Sequence, residues 1–380
     1  MTTSESPPSR PPFSVAMLAL VIAGEAIFFL PFVIARVFRP TLLEVFGISN
    51  LELGLAFAAY GVVAMLAYFP GGPLADAFAA RKLMMIALLS TPLGGGRGLV
   101  AAASGTIAVL IYSFLLRGDL ASATLAERTH AFQLVILVFA GFTCASAVLV
   151  WYALRAGESP SAEVEPRITF SGAMAVLKMP AVALQAVIIV CAYVGYKGLD
   201  DLSLYAKEVL GYDEVTAAHT STVSMWVRPV AAIVAGIVAD RSRISWITAV
   251  SFLVMAVGAG AIATGVFKPG MTFAFFSTII ATSAAVFALR GLYFAIMQEG
   301  YVPFHYTGTA VGVVSAIGYT PDVFMGPLMG KLLDDSPGAL GHQHLFAVVA
   351  LFALIGLVAS LCFRWVANRQ SDELARCSLQ

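Results

Sequence analysis

The sequence predicts an all-α polytopic membrane protein built as two helical bundles, and three observations lead there. Of its 380 residues 59% are hydrophobic and 12% charged, and the mean hydropathy is +0.89. That is more apolar surface than one soluble core hides. The apolar residues fall into runs of about 20, the length that crosses a hydrocarbon core. Finally, a short pattern occurs twice, each time at the end of an apolar run: Gly72-Pro73-Leu74-Ala75-Asp76 and Gly236-Ile237-Val238-Ala239-Asp240. Basic residues follow both copies, Arg81 and Lys82 in one, Arg241 and Arg243 in the other. Such a repeat marks two related bundles, each with its own interfacial turn.

Taken in order, the first apolar run covers 14–38 and follows a Ser- and Pro-rich stretch, 1–13, that reads as a disordered cytosolic tail. The second run is 51–75. A third, 83–93, has about half the spanning length and ends in Pro92 and Gly94-Gly95-Gly96. Runs 99–116 and 131–154 complete the N-terminal bundle, 14–154. Residues 155–178 are polar, with Glu158, Glu163, Glu165 and Arg167 close together, and form a cytosolic linker. The C-terminal bundle, 179–368, holds six runs: 179–196, 215–239, 245–267, 271–289, 307–333 and 345–366, before a cytosolic tail at 369–380. The reading is 10–11 crossings. In the ten-crossing version 83–116 is one broken, overlong span; in the other a half-span lies in the interface or re-enters.

A cytosolic N-terminus puts Arg81, Lys82, Arg155, Arg241 and Arg243 inside and Arg36, Arg39, Lys197 and Lys207 outside. This is a shallow positive-inside bias, and it predicts a multi-pass protein of the inner membrane with both termini cytosolic. Zero net charge supplies no field for collecting nucleic acid. The four cysteines, Cys144, Cys191, Cys362 and Cys377, are isolated, which argues against a disulfide framework or a CxxC metal site. There is no Walker loop, HExxH or GxSxG, and His342-x-His344 is a weak pair in an expected loop. Neither an enzyme nor a cofactor is expected.

Function is expected from charges inside the spans. Glu25 lies mid-span, where a carboxylate costs about 3 kcal/mol or more and must face the bundle interior. Arg228, beside Pro229, offers a guanidinium fork to an anionic solute, or forms a fixed pair with Glu25, Asp200 or Asp322. Asp322 is a candidate proton relay or partner of Arg228, and Pro321 and Pro327 should break its helix. Arg36 and Arg290, nearer span ends, read as snorkelling side chains. Lys197, Asp200 and Asp201 read as a solvated helix end, and His219 as a hydrogen-bonded helical residue with titration as its alternative. Tyr60, Tyr193, Tyr196, Tyr293 and Tyr319 are candidates to line a polar path, and Trp226 to stack on a solute, although membrane aromatics mostly pack or anchor.

The turn after the second span, Gly72 to Asp76 with Arg81-Lys82, resembles the signature loop of the major facilitator superfamily, as does its echo at Gly236 to Asp240. Gly96-Arg97-Gly98 and the Gly318 to Asp322 segment are similar to motifs of poorly characterised bacterial members. The resemblance covers nearly the whole chain. It implies two six-helix bundles with a substrate site between them, and a conformational latch at Gly72, Asp76, Arg81, Lys82, Gly236, Asp240, Arg241 and Arg243. On that pattern about two helices' worth of residues is absent between 90 and 95, and the two motif aspartates stand only 164 residues apart. The expected function is a secondary active transporter, monomeric in the bilayer, that moves a small anionic solute by alternating access. Protons couple through Glu25 or Asp322. The alternative is a non-transporting truncated relative.

Overall fold

The computed structural model describes residues 29–77, 94–116, 123–153, 176–300 and 307–377, and among them there is no strand. The chain enters through a π-helical turn, Phe29–Ile34, that contains Pro31. Proline supplies no amide donor, so the ladder widens there. Helices α1 (Ala35–Val37) and α2 (Arg39–Phe46) follow. Gly47 ends α2 at φ 61°, a left-handed conformation that suits a residue without a Cβ. The chain then bends by 105° into α3 (Asn50–Ala77).

The remaining helices are α4 (Gly94–Leu115), α5 (Leu125–Ala153), α6 (Pro180–Gly198), α7 (Leu202–Glu208), α8 (Glu214–Ala239), α9 (Ile244–Ala263), α10 (Thr272–Leu292), α11 (Thr307–Gly318), α12 (Pro321–Asp335) and α13 (Ala339–Cys377). Six segments of the described chain are long and apolar enough to span a membrane, seven if the bent pair at Gly47 counts as one. The runs expected at 14–28 and 83–93, the tail at 1–13 and most of the linker lie outside the described residues.

Three boundaries differ from expectation. The Gly94-Gly95-Gly96 run, read as a break, forms the first turn of α4. Pro321 does interrupt its span, at Tyr319 and Thr320, because proline has no amide with which to continue the ladder, although Thr320 before it keeps helical angles, φ −55° and ψ −29°. Pro327 instead sits within α12 without ending it. His342 lies in the second residue triplet of α13 rather than in a loop, and α13 continues through most of the segment assigned to a tail.

Two cores form. The first half packs Phe38, Tyr112 and Phe132 with Met225 of α8. The second half centres on Phe252, Phe275, Phe346 and Phe363. The halves are joined by α4 against α8 and by α3 against α12. The second crossing is backbone to backbone. A Cβ on Gly326 would sit 2.7 Å from the Gly54 carbonyl oxygen, and one on Gly61 would sit 2.6 Å from the carbonyl carbon of Asp322. Small residues let helices approach this closely where lipid gives no hydrophobic incentive to associate. The same contact fixes where Asp322 stands.

Candidate functional site

Helix α6 runs on into a 3-10 turn, Leu199–Asp201, and the two together carry one charged and aromatic stripe. Tyr193, Tyr196, Lys197 and Asp200 follow at i, i+3, i+4 and i+7, the spacing of one helix face. The stripe points to the junction of the halves, where each member finds a partner. Lys197 Nζ lies 2.8 Å from Asp322 Oδ1, and the Tyr193 hydroxyl donates to Asp322 Oδ2 at 2.8 Å. Asp200 forms an ion pair with Arg36, which the first half contributes. Arg36 lies 4.5 Å from the centre of the Tyr196 ring, and Arg290 of α10 lies 3.8 Å from the same centre. The Tyr193 and Tyr319 rings meet edge to face at 5.2 Å. Phe32 and Phe57 of the first half flank Lys197 at 5.8 and 5.6 Å.

Three expectations are therefore corrected, those for Arg36, Arg290 and the end of α6. Arg36 is buried at 7% exposure and paired, not snorkelling, because Asp200 approaches it from the other half. Arg290 stacks on Tyr193 and Tyr196 rather than reaching a headgroup. Lys197 and Asp201 are buried at 6% and 0%, so the end of α6 is not solvated. Asp322 engages Lys197, while the guanidinium of Arg228 lies 6.0 Å from the Phe287 ring. Trp226 donates to the Thr106 hydroxyl at 2.9 Å and so ties α8 to α4. Tyr60 is 41% exposed and meets Phe32 edge-on. Tyr293 is buried against Phe294, with its carbonyl accepting from Gln185. His219 is exposed on α8. Of the residues expected to form a site, Asp322, Tyr193 and Tyr319 are brought together. Glu25 lies outside the described residues.

One end of the molecule is closed by ties across the two halves. Glu214 of α8 accepts from Tyr112 and Arg128 of the first half at 3.0 Å each, and from Lys207 at 3.1 Å. Arg39 donates to Asn50, whose amide donates to Asp334 of α12. The hydroxyls of Ser203 and Ser221 donate to the Arg36 carbonyl. At the same end His342 is clamped between Asp201 and Glu208, with Nδ1 2.5 Å and Nε2 3.2 Å from carboxylate oxygens. Buried polar groups held this way are costly to separate.

At the opposite end lie the repeated turns. Asp240 caps α8 and is exposed, as are Arg241 and Arg243. A Cβ on Gly236 would meet open space. The amides that start α9 are accepted by Glu299, not by the motif aspartate. Arg243 reaches Asn368 of α13. Gly72 and Asp76 fall in the last turns of α3, while Arg81 and Lys82 lie outside the described residues.

A cavity of about 310 Å³ lined by Leu177, Val187, Val190, Ile317 and Phe352 is apolar and stands apart from the charged belt. Among the residues whose side chains are described, no cluster of three or more His, Cys, Asp or Glu is placed to hold a metal.

Solved structures of transporters share this fold. A bacterial homologue of the human lysosomal transporter Spinster, in an inward-facing and occupied conformation, superposes with TM-score 0.59 at 16% identity, covering 94% of this chain and 98% of its own. A bacterial homologue of the human drug peptide transporters PepT1 and PepT2 gives 0.62 at 12% identity, over 94% and 99%. The nucleoside transporter NupG gives 0.55 at 14% identity, over 92% and 99%. In sequence, the chain is 24% identical to the inner membrane protein YqcE of Escherichia coli (strain K12) over 377 residues, spanning 86% of this chain and 89% of YqcE. The inner membrane protein YihN of the same strain is 36% identical over 93 residues, 24% of this chain and 22% of YihN. No family model matches.

Proposed function

We propose that this protein is a monomeric secondary active transporter that carries a small anionic solute across the inner membrane by alternating access, with proton coupling through Asp322. The observation that carries this reading is the buried belt at the junction of the halves, where Lys197 and Asp322 pair at 2.8 Å and Arg36 pairs with Asp200. Buried ion pairs are expensive in a membrane protein and mark solute or proton paths. Protonating Asp322 removes the charge that holds Lys197, so the pair is a switch whose two states differ in charge at the moving interface. The bundles run 14–154 and 179–368, the linker 155–178 is cytosolic, and both termini lie inside. The closed end, which carries Glu214, Asp334 and His342, then faces outward, and the motif turns at Asp76 and Asp240 face the cytosol as the latch. Cation excess in the belt favours an anionic solute.

The test is uptake into proteoliposomes with and without an imposed pH gradient, across a panel of acidic and neutral solutes. Gradient-dependent accumulation of an acidic solute is expected. No flux of any solute would instead favour the truncated, non-transporting reading.

A further inference from the structure

The belt holds two matched pairs, Arg36 with Asp200 and Lys197 with Asp322, and two further arginines, Arg228, 6.0 Å from the Phe287 ring, and Arg290. Its guanidinium stacks 3.8 Å from the Tyr196 ring centre and 4.8 Å from that of Tyr193. Its Nη1 is shut off from solvent and has no hydrogen-bond partner. Guanidinium keeps its charge in such surroundings. Ring faces attract the cation, but they accept nothing from the N–H groups that lie in its plane. Arg290 stands in the last turn of α10, where the carbonyl end of the helix favours a positive charge. That accounts for the cation being tolerated and leaves its Nη1 edge unanswered.

We propose that Arg290 is the anchor for the oxyanion of the transported solute, with Tyr196 and Tyr193 as the platform that holds the guanidinium flat. The ligand class is a small organic acid or phosphate ester. This rests on the anionic-solute reading above and narrows it, because Arg36 and Lys197 already hold carboxylates. Stacking fixes the guanidinium plane and leaves the Nη1 N–H groups to donate to a carboxylate or phosphate oxygen. A bound monoanion supplies Arg290 with a counter-charge. A neutral solute of the same shape leaves the charge unmatched and is rejected for that reason.

The experiment measures binding to the purified full-length chain in detergent, by thermal shift and equilibrium titration. Gluconate is paired with glucose for the carboxylate arm, and glycerol 3-phosphate with glycerol for the phosphate arm. At least one anion is expected to raise the melting temperature while its neutral counterpart does not, and the arm that responds identifies the headgroup. Arg290→Gln should weaken that anion about tenfold or more. Arg290→Lys should recover part of the loss, since it restores charge without the fork. Tyr196→Leu should weaken binding with Arg290 intact. Anion binding at wild-type affinity in a monodisperse Arg290→Gln protein overturns the anchor and leaves the anionic reading standing. Should Arg290→Gln not fold, wild-type affinity in both Arg290→Lys and Tyr196→Leu overturns it equally. Preference for glucose or glycerol, or no binding of either anion, overturns both readings.

Discussion

Lys197 and Asp322 face each other at 2.8 Å across α6 and α12, and the helix that carries Asp322 is pressed against the first half at Gly61. The carboxylate thus belongs at once to a buried ion pair and to the contact between bundles. A change in its charge acts at the contact between the halves.

Asp322→Asn keeps the side chain's shape and leaves Lys197 without its counter-charge. Breaking one partner of a buried pair costs about 3–5 kcal/mol, so the melting temperature should fall and gradient-driven uptake should cease. The double substitution Lys197→Met with Asp322→Leu should recover most of the stability but none of the coupling. Accumulation that still follows the pH gradient in the double variant would reduce the pair to scaffolding.

Gly326→Ala places a methyl group 2.7 Å from the Gly54 carbonyl oxygen. Backbone cannot yield as a side chain does, so α3 and α12 should be forced apart at the closed end. Spin labels at Ser49 and Ala339 should report a longer mean distance than in the parent. An unchanged distance would show that the crossing accommodates a Cβ.

Arg228→Ala should abolish uptake while leaving membrane insertion intact, which flux together with a protease-protection assay can check. Asp76→Asn should slow the exchange between states more than it weakens solute binding. Equal losses of rate and affinity would contradict the latch role of the first motif.

Asp213 caps α8, accepting from the amides of Val215 and Thr216 at 3.0 and 3.1 Å. Burial pushes its carboxyl up, but the Thr216 hydroxyl and these amides more than offset it and hold it below the ordinary carboxylate range. The group is depressed in the folded state, so its contribution is present above the unfolded pKa of about 3.9 and is lost as pH falls through the folded value. Asp213→Ala should cost about 0.5–2 kcal/mol near neutral pH. The difference from the parent should shrink on acidification below pH ~4, measured as melting temperature against pH.

How far the sequence could be read differs from residue to residue. The spans of the second half were visible because lipid demands long apolar runs and tolerates few interruptions. Tyr193, Asp322 and Tyr319 were named because polar groups stand out in such runs. The stripe Tyr193, Tyr196, Lys197, Asp200 carried a signal that periodicity exposes, yet Lys197 and Asp200 were read as a wet helix end. Position along a span says how deep a residue lies, not what packs over it. Arg36 was misread for the same reason, since its partner Asp200 is 164 residues away. The Gly94 run was read as the end of a short apolar run, whereas here it opens α4.

By itself, then, the sequence determined the medium, the helical class and the duplication, because hydrocarbon thickness and backbone hydrogen bonding leave few choices and print them locally as run length and repeated turns. Only the tertiary structure decided which charges are matched. Whether Arg36, Lys197 or Arg290 stands paired or alone depends on side chains brought from distant helices, and an ion pair forms over a few ångströms of space rather than at any spacing in the chain.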